Sequence, residues 1–371
     1  MRKLVVGLAA LLVVGLGVAC KGPEVLEVTP VVNGLNRPWD IAFTPDETML
    51  FTEKSGEINA FVGGQIQELT DPADSIVMGE GGMMGLAVDP DFTTNRLIYA
   101  CFLSNVSGSL DVRVARWRVN ATYTGVTNRL DIVTGMPVNS SGQTGRHSGC
   151  RPRFGPDGFL WIGTGDAATG TNPQNPQSLG GKVLRVTRDG AGAPGNPGGA
   201  FLPQIYTYGH RNVQGIAFRP LSNVAYSIEH GTGCDDEVNV LVAGGNYGWD
   251  PVPAGGGPGY NESRPMTDLV KFPNAIPAVW SSGCPTIAPS GGVFLNGTQW
   301  LGWQTGLAVA VLKDSRVMIL TFDGQGEVFQ RHDRVTNQGR LRTTVLGPDG
   351  DLYVSQDANP GSILRIHPVN P

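Results

Sequence analysis

A histidine and an aspartate stand on either side of one short predicted hairpin, an arrangement that can supply a general base. His147 precedes the first strand and Asp166 follows the second, in the segment RHSGCRPRFGPDGFLWIGTGD. The Pro-Asp-Gly turn folds the strands back on each other, because Pro fixes φ and Gly accepts positive φ. A carboxylate bonded to an imidazole fixes its tautomer for proton transfer. The alternative is a loop histidine and a turn aspartate that make no contact.

The elements that would position this pair recur along the chain. With 53 Gly, 27 Pro and only 16% charged residues among 371, the composition indicates many turns and few helices. A spacing of about 45–60 residues between strand pairs is typical of propeller blades, and ring closure hides sheet edges. The sequence therefore predicts an all-β, six-bladed β-propeller with the active site at the mouth of its central channel; a sandwich or a solenoid is the alternative. The repeated units are residues 44–52, 89–100, 155–163, 219–227, 307–317 and 347–355.

The N-terminus has the pattern of an export signal. Arg2 and Lys3 precede an apolar run over residues 4–18, which is too short to span a membrane comfortably. Cys20 follows a small residue, which predicts cleavage and lipidation at this cysteine. We expect an exported protein, periplasmic or extracellular, attached to the membrane only through the lipidated Cys20. The predicted segments are a signal peptide (1–20), a linker or closing strand (21–34) and one propeller domain (35–371).

The net charge limits the class of partner, and the cysteines raise the question of disulfide bonds. The net charge is −5 and no basic tract is present, which argues against nucleic acid as a partner. Export to an oxidising compartment makes disulfides possible. Four cysteines remain beyond Cys20, and the sequence does not choose among their three full pairings. Cys101 lies in an apolar strand, where we expect a buried free thiol.

Further polar residues lie in loops that a propeller would bring to one end of its channel. From their types alone, His210 and His230 are predicted to be structural, and residues 246–249 a packed turn. Residues 189–200 and 252–265 are rich in Gly and Pro and are predicted to be surface loops. The candidate segments are EGGMMG (80–85), GHRN (209–212), EHGTGCDDE (229–237), GNYGW (245–249), Lys313, Arg340 and Arg342.

Together these segments resemble those of the soluble quinoprotein glucose/sorbosone dehydrogenase family, the aldose sugar dehydrogenases that use pyrroloquinoline quinone (PQQ). The resemblance covers nearly everything after about Leu35. It implies a six-bladed propeller that holds PQQ and a calcium ion at the channel mouth. The shared strings are GGMMGLAVDPDF, RHSGCRPRFGPDG with WIGTGD, YTYGHRNVQG, EHGTGCDDEVN with GGNYGW, PTIAPSG, and GRLR before GPDGDLYV.

The resemblance also implies roles for the reacting residues. His147 would be the general base that takes the proton of the sugar C1 hydroxyl while hydride passes to the quinone, and Asp166 would orient it. Arg211 would stabilise charge on the reduced cofactor, and Asn212 would contact it. Glu80 would lie beside the sugar C1. The implied activity is oxidation of aldoses to lactones, with electrons passed to an external acceptor.

A second group of residues would hold the cofactors. Cationic side chains suit the three carboxylates of PQQ. Calcium accepts backbone carbonyl oxygens as ligands, here those of Gly231 and Thr232. Asp236 and Glu237 match an acidic pair that some relatives use at another calcium. The implied cofactor contacts besides Arg211 and Asn212 are Thr286, Lys313, Arg340 and Arg342.

Other classes of function fit the residues less well. Residues 163–168 match a dinucleotide-binding pattern, but residues 170–173 break the helix that this motif requires. A glycosidase could pair Glu80 with Asp166, yet the basic residues would then have no role. The histidines lack the spacing of a zinc site. The main alternative is a non-catalytic exported propeller that binds glycans or a protein partner.

Overall fold

Six four-stranded antiparallel sheets form a ring in the computed structural model, which describes residues 21–142, 144–256 and 259–369. Each sheet is one blade, and consecutive blades follow one another along the chain. The innermost strand of each blade contacts the innermost strand of the next, so that six strands surround a central channel. The predicted all-β, six-bladed propeller is therefore confirmed.

The strands run from the channel outward in each blade. The first strand of the chain is β1 (Val25–Leu35). Blades 1 and 2 contain β2 (Pro38–Phe43), β3 (Met49–Glu53), β4 (Ile58–Val62), β5 (Gln65–Thr70), β6 (Met83–Val88), β7 (Leu97–Val106), β8 (Ser109–Val119) and β9 (Val126–Met136). Blades 3 and 4 contain β10 (Arg151–Phe154), β11 (Leu160–Gly163), β12 (Lys182–Val186), β13 (Ile205–Tyr208), β14 (Val213–Phe218), β15 (Ala225–Glu229), β16 (Glu237–Val240) and β17 (Trp280–Ser281). Blades 5 and 6 contain β18 (Pro289–Phe294), β19 (Leu307–Val311), β20 (Arg316–Phe322), β21 (Val328–Arg334), β22 (Leu341–Leu346), β23 (Leu352–Gln356) and β24 (Gly361–Val369). Two short helices, α1 (Phe92–Asn95) and a 3₁₀ segment (Thr298–Trp303), lie between strands.

Strand β1 closes the ring by joining the start of the domain to its end. It pairs antiparallel with β24 as the outermost strand of blade 6, with Val25 opposite Val369 and Leu35 opposite Gly361. Its side chains are largely exposed, as expected for an outer strand. The inner strand β6, by contrast, has the apolar sequence MMGLAV and is buried on both faces.

The hydrophobic core is divided into clusters between neighbouring blades. Leu50 and Ile58 of blade 1, for example, pack with Leu86 and Trp117 of blade 2. Truncating a buried leucine such as Leu86 to alanine typically costs about 2–5 kcal/mol of folding free energy. The blades approach so closely that a Cβ on Gly85 would lie 2.6 Å from the Cys150 carbonyl oxygen. Only glycine fits at this contact between inner strands.

A buried charge cluster fills the channel beneath its mouth. Arg151 and Asp40 are both fully buried, and their side chains pair at 2.7 Å. Arg153 also binds Asp40, at 2.8 Å, and Arg151 donates to the Gln214 carbonyl oxygen and the Thr343 hydroxyl at 2.8 and 3.0 Å. Burial raises the pKa of Asp40, but the two arginines outweigh this effect and hold the pKa below its usual value. The cluster thereby ties together the inner strands of four blades.

Two disulfides are formed, which resolves the cysteine pairing that the sequence left open. Cys101 of β7 is bonded to Cys150, just before β10, with the sulfur atoms 2.01 Å apart. The prediction that Cys101 is a free thiol is therefore wrong; its partner comes from the next blade, 49 residues away, where sequence pattern cannot place it. Cys234, in the loop between β15 and β16, is bonded to Cys284 in the connection from blade 4 to blade 5.

The predicted signal peptide and Cys20 lie outside the described residues. Among the helices of the described ranges, none has the length and apolar character needed to cross a membrane. The division into segments 1–20, 21–34 and 35–371 remains a prediction.

Candidate active site

The antiparallel order of each blade explains why candidate residues meet at one end of the channel. The start of a blade's first strand and the end of its second lie at the same end of the sheet. His147 precedes β10 and Asp166 follows β11, so both belong to this end of blade 3. The same topology applies to Arg342 at the start of β22 and to the loops that carry Glu80, Arg211, Asn212, Gly231, Thr232, Asp236, Thr286, Lys313 and Arg340.

His147 and Asp166 form the buried pair that the hairpin suggested. His147 Nδ1 lies 2.8 Å from Asp166 Oδ1, and the two residues are 3% and 0% exposed. Burial raises the pKa of Asp166, but His147, Tyr260 and Arg211 outweigh this effect and keep it below its ordinary value. Because the carboxylate is ionised, Nδ1 carries the proton and donates it to Asp166. Nε2 of His147 is then the acceptor nitrogen.

Asp166 is held by three further donors. Trp249 Nε1 and the Tyr260 hydroxyl donate to its Oδ2 at 2.9 and 2.7 Å, and the Ala168 amide donates to its Oδ1 at 2.7 Å. Burial, together with the Asp166 charge, raises the pKa of Tyr260, which therefore remains a protonated donor. With four donors on two oxygens, the carboxylate cannot rotate away from His147.

A long connection in blade 4 delivers Trp249 and Tyr260 to the site. It leaves β16 and runs beside β13 of blade 3, where the Tyr247 amide donates to the Tyr208 carbonyl at 3.0 Å. The prediction that residues 252–265 are a surface loop is incomplete, since Tyr260 and Glu262 contact site residues. The predicted packed turn at 246–249 is buried at Trp249, which also bonds Asp166. The length of the connection was the available signal, because long loops in compact domains are usually functional.

Arg211 and Asn212 enter the site from the loop before β14. The Arg211 guanidinium bonds Glu262 at 2.9 Å and the His230 carbonyl at 3.3 Å. Asn212 donates from Nδ2 to Glu80 at 3.0 Å, while its Oδ1 accepts from the Gly149 amide at 3.2 Å. The asparagine thus joins the Glu80 loop to the loop that carries His147.

Glu80 is fixed at the edge of this group by a lysine that the sequence did not suggest. Lys54 Nζ donates to the Gly79 carbonyl at 2.6 Å, and the Lys54 carbonyl accepts from the Met83 amide at 3.1 Å. Burial raises the pKa of Glu80, but the neighbouring His147 imidazole and the hydrogen bonds from the His147 amide and Asn212 outweigh this effect and keep the pKa below its usual value. Burial also lowers the pKa of Lys54, and the nearby Arg342 adds to this decrease.

The histidines that were predicted to be structural differ in their surroundings. His210 is fully buried and bonds Glu229 at 2.7 Å and Thr207 at 2.9 Å. His230 donates its amide to the Asn212 carbonyl, while its buried Nε2 has no hydrogen-bond partner among the described residues. Burial lowers the pKa of His230 to about 4, partly offset by Asp236 and Glu80, so its ring is neutral at pH 7.

Asp236 joins two loops at the mouth rather than presenting a free carboxylate. It accepts bonds from the Gly231 amide at 2.9 Å, the Thr286 hydroxyl at 2.7 Å and the Ile287 amide at 2.6 Å. Glu237 is buried beside Glu229, and burial with this neighbouring charge raises its pKa to about 8. No cluster of three or more His, Cys, Asp or Glu side chains suited to a metal occurs in the described ranges. The metal role of Asp236 and Glu237 stays a prediction.

The basic residues of blades 5 and 6 lie around the same opening. Arg342 pairs with Asp357 at 2.6 Å, and the more exposed Arg340 approaches the same carboxylate at 3.5 Å. Lys313 is exposed, and its amide donates to the Ile287 carbonyl at 3.1 Å, beside the loop that carries Thr286. The sequence did not suggest Asp357, which offsets only part of the positive charge.

Comparison with known proteins defines the class. Residues 35–365 match the family model described as Glucose / Sorbosone dehydrogenase, and the chain belongs to this family. It is therefore an oxidoreductase of this family, and the family resemblance seen in the sequence is confirmed.

One curated relative and two solved structures each align with more than nine-tenths of this chain. The aldose sugar dehydrogenase YliI of Escherichia coli is 31% identical over 360 residues, which cover 94% of each protein. A solved structure titled as a putative oxidoreductase (glucose dehydrogenase) of Thermus thermophilus is 34% identical, with a TM-score of 0.78 and coverage of 92% of this chain and 99% of that one. The PQQ-bound aldose sugar dehydrogenase of Streptomyces coelicolor is 27% identical, with a TM-score of 0.77 and coverage of 94% and 99%.

Proposed function

We propose that this protein is a PQQ-dependent aldose sugar dehydrogenase that oxidises the C1 hydroxyl of aldoses to give lactones. The observation that carries the proposal is the buried His147–Asp166 pair, bordered by Arg211 and Glu80 at the mouth of the channel. A PQQ-bound relative with the same fold supports the choice of cofactor. The non-catalytic binding propeller is the alternative that the experiment below tests.

His147 would be the general base. Its Nδ1–H is held by Asp166, and its Nε2 accepts a bond from Arg146 Nε at 3.2 Å. The C1 hydroxyl would replace this bond at Nε2 and transfer its proton there. Asp166 would stabilise the imidazolium that results, and the bonds from Trp249 and Tyr260 keep it in place. Glu80, ionised and anchored by Asn212, would accept a hydrogen bond from a sugar hydroxyl beside C1.

The residues at the mouth fit an anionic quinone. Among the described residues, Arg211 Nε, Arg342 Nε and His230 Nε2 are buried without a hydrogen-bond partner. Buried polar atoms without partners are costly, and a bound ligand with carboxylate and carbonyl oxygens would satisfy them. Bound PQQ would accept the hydride from C1. The residues that would hold it are Arg211, Asn212, Thr286, Lys313, Arg340 and Arg342.

A calcium ion would bind the loop after Glu229. The carbonyl oxygens of Gly231 and Thr232 accept no hydrogen bond from the described residues, so they are free to be ligands. Hard cations prefer such oxygens, and bound calcium would polarise a carbonyl of the quinone. Asp236 and the Cys234–Cys284 disulfide brace the loop.

Lipidation of Cys20 would place the enzyme on a membrane outside the cytoplasm and near its electron acceptor. Lys21 and Gly22, which follow Cys20, contact the 3₁₀ segment of blade 5. The Gly302 amide donates to the Lys21 carbonyl at 3.1 Å, and Gly22 packs on Trp303. An anchor here would leave the mouth open to sugar. Metabolic labelling with a fatty acid, absent in a Cys20→Ser variant, would test it.

Dye-linked oxidation of a panel of aldoses tests the proposed activity. The protein lacking residues 1–20 would be assayed with and without added PQQ and Ca²⁺. We expect turnover that requires both, with lactone as the product. If no sugar is oxidised and PQQ produces no absorbance change on mixing, the protein is a binding propeller instead.

A further inference from the structure

Arg146 lies next to the nitrogen that would receive the substrate proton. Its Nε donates to His147 Nε2 at 3.2 Å, and its guanidinium lies 5.6 Å from the centre of the Tyr260 ring. His147 Nε2 is the point to which a reacting hydroxyl must bind. Any sugar in that position therefore lies against Arg146.

Glu262 is shared between two arginines at this place. One carboxylate oxygen pairs with Arg146 and the other with Arg211, the latter at 2.9 Å. The two arginines come from different blades, and Glu262 comes from the connection that also carries Tyr260. The carboxylate therefore already occupies the position in which Arg146 would bind an incoming anion.

We propose that Arg146 and Glu262 form a selectivity pair that accepts neutral aldoses and disfavours sugar acids; the inference rests on the proposed function. A sugar hydroxyl both donates and accepts hydrogen bonds. It can accept from the Arg146 guanidinium and donate to the Glu262 carboxylate without separating the two. A carboxylate on the substrate only accepts, so it must displace Glu262 or lie beside it as a like charge.

Glu80 adds to the discrimination from another side of the base. It is ionised, since its pKa is held below the ordinary value, and it is fixed by Asn212. A sugar acid would thus face two carboxylates, Glu80 and Glu262, in one small opening. The side chains of Arg146 and Glu262 are 27% and 37% exposed, so solvent screens part of this effect.

The test compares D-galactose with D-galacturonate, which differ at C6 while both carry the C1 hydroxyl. For each protein the ratio of kcat/KM for the two sugars is measured. Glu262→Gln should lower the preference for galactose about fivefold, mainly through a lower KM for galacturonate, as the loss of one partly screened charge predicts. In the double variant with Arg146→Met, the part of this decrease that comes from the freed arginine should be lost, so the preference for galactose should lie between those of the wild type and Glu262→Gln.

A matched control is Glu68→Gln, which makes the same change in net charge on the exposed face of β5 and should leave the ratio unchanged. If Glu262→Gln leaves the galactose-to-galacturonate ratio unchanged, the proposed selectivity pair is wrong. If the double variant has the same ratio as Glu262→Gln, the role assigned to Arg146 is wrong.

A second readout needs no turnover. Saturation-transfer NMR on the protein without PQQ should show galactose preferred over galacturonate, with the preference reduced in Glu262→Gln. If no sugar is oxidised while this preference is present and shifts as expected, the proposed function fails and the selectivity pair stands. If turnover occurs but neither readout responds to Glu262→Gln, the pair fails and the function stands.

Discussion

The channel and its mouth both hold arginines and carboxylates, yet the two regions treat these charges differently. In the channel, every guanidinium nitrogen of Arg151 has a protein partner, and Asp40 is bound by two arginines. At the mouth, Arg211 and Arg342 each leave a buried Nε without a partner among the described residues. A satisfied buried charge stabilises one arrangement of the chain, whereas an unsatisfied one indicates a ligand that completes it.

The comparison predicts that the channel cluster supports folding and the mouth supports binding. Substitutions in the channel should therefore lower the free energy of unfolding, whereas substitutions at the mouth should lower cofactor affinity or turnover.

The largest effect is expected in the channel. Asp40→Ala leaves Arg151 as a buried charge without its partner, which should lower the free energy of unfolding by about 3–5 kcal/mol. Urea unfolding followed by circular dichroism measures this loss. Asp189→Ala, which removes the exposed partner of Arg116, is the control and should cost less than about 1 kcal/mol. Equal losses in the two variants would show that the channel cluster has no special structural role.

At the mouth, His147→Ala should retain the fold and the quinone but lose turnover. Removal of a general base typically lowers kcat by about 10²–10⁴-fold. Dye-linked assays and a PQQ absorbance titration measure the two properties separately. His332→Ala, on the outer strand β21, is the matched control. Full turnover in His147→Ala would remove His147 as the base.

A smaller effect is expected for the rim of the cofactor site. Arg342→Met removes a donor with an unpartnered Nε, so PQQ affinity should fall about tenfold. Stability should fall less than in Asp40→Ala, because Arg340 remains beside the Asp357 carboxylate. Arg331→Met on β21, whose arginine also pairs with an aspartate, serves as the control. A large loss of stability with unchanged PQQ affinity would place Arg342 with the channel residues instead.

The smallest effect is the acid dependence of stability. The pKa of Asp40 lies below its unfolded value of 3.8, so the unfolded chain binds this proton more readily than the folded chain. The contribution of Asp40 is therefore complete above about pH 4 and is lost as pH falls through the folded pKa. The stability difference between wild type and Asp40→Ala should shrink as pH falls below about 4, as urea titrations at several pH values would show. A constant difference would contradict this linkage.

Much of the fold could be predicted because its signals are local. Each Pro-Asp turn and the alternating strand after it lie within about ten residues, and their repetition implies a closed ring. His147 and Asp166 are only 19 residues apart on one hairpin, so their contact followed from the turn between them.

Contacts between blades could not be derived in this way. Glu262 reaches Arg146, 116 positions away, only because a connection of blade 4 crosses the edge of blade 3. Cys101 of β7 meets Cys150 of the next blade only because the two blades pack side by side. The sequence alone determined the repeating hairpins, the family and the chemical types at the site. The tertiary structure decided which charges are satisfied by protein and which are left for a ligand, because hydrogen-bond partners at the mouth come from loops that only ring closure brings together.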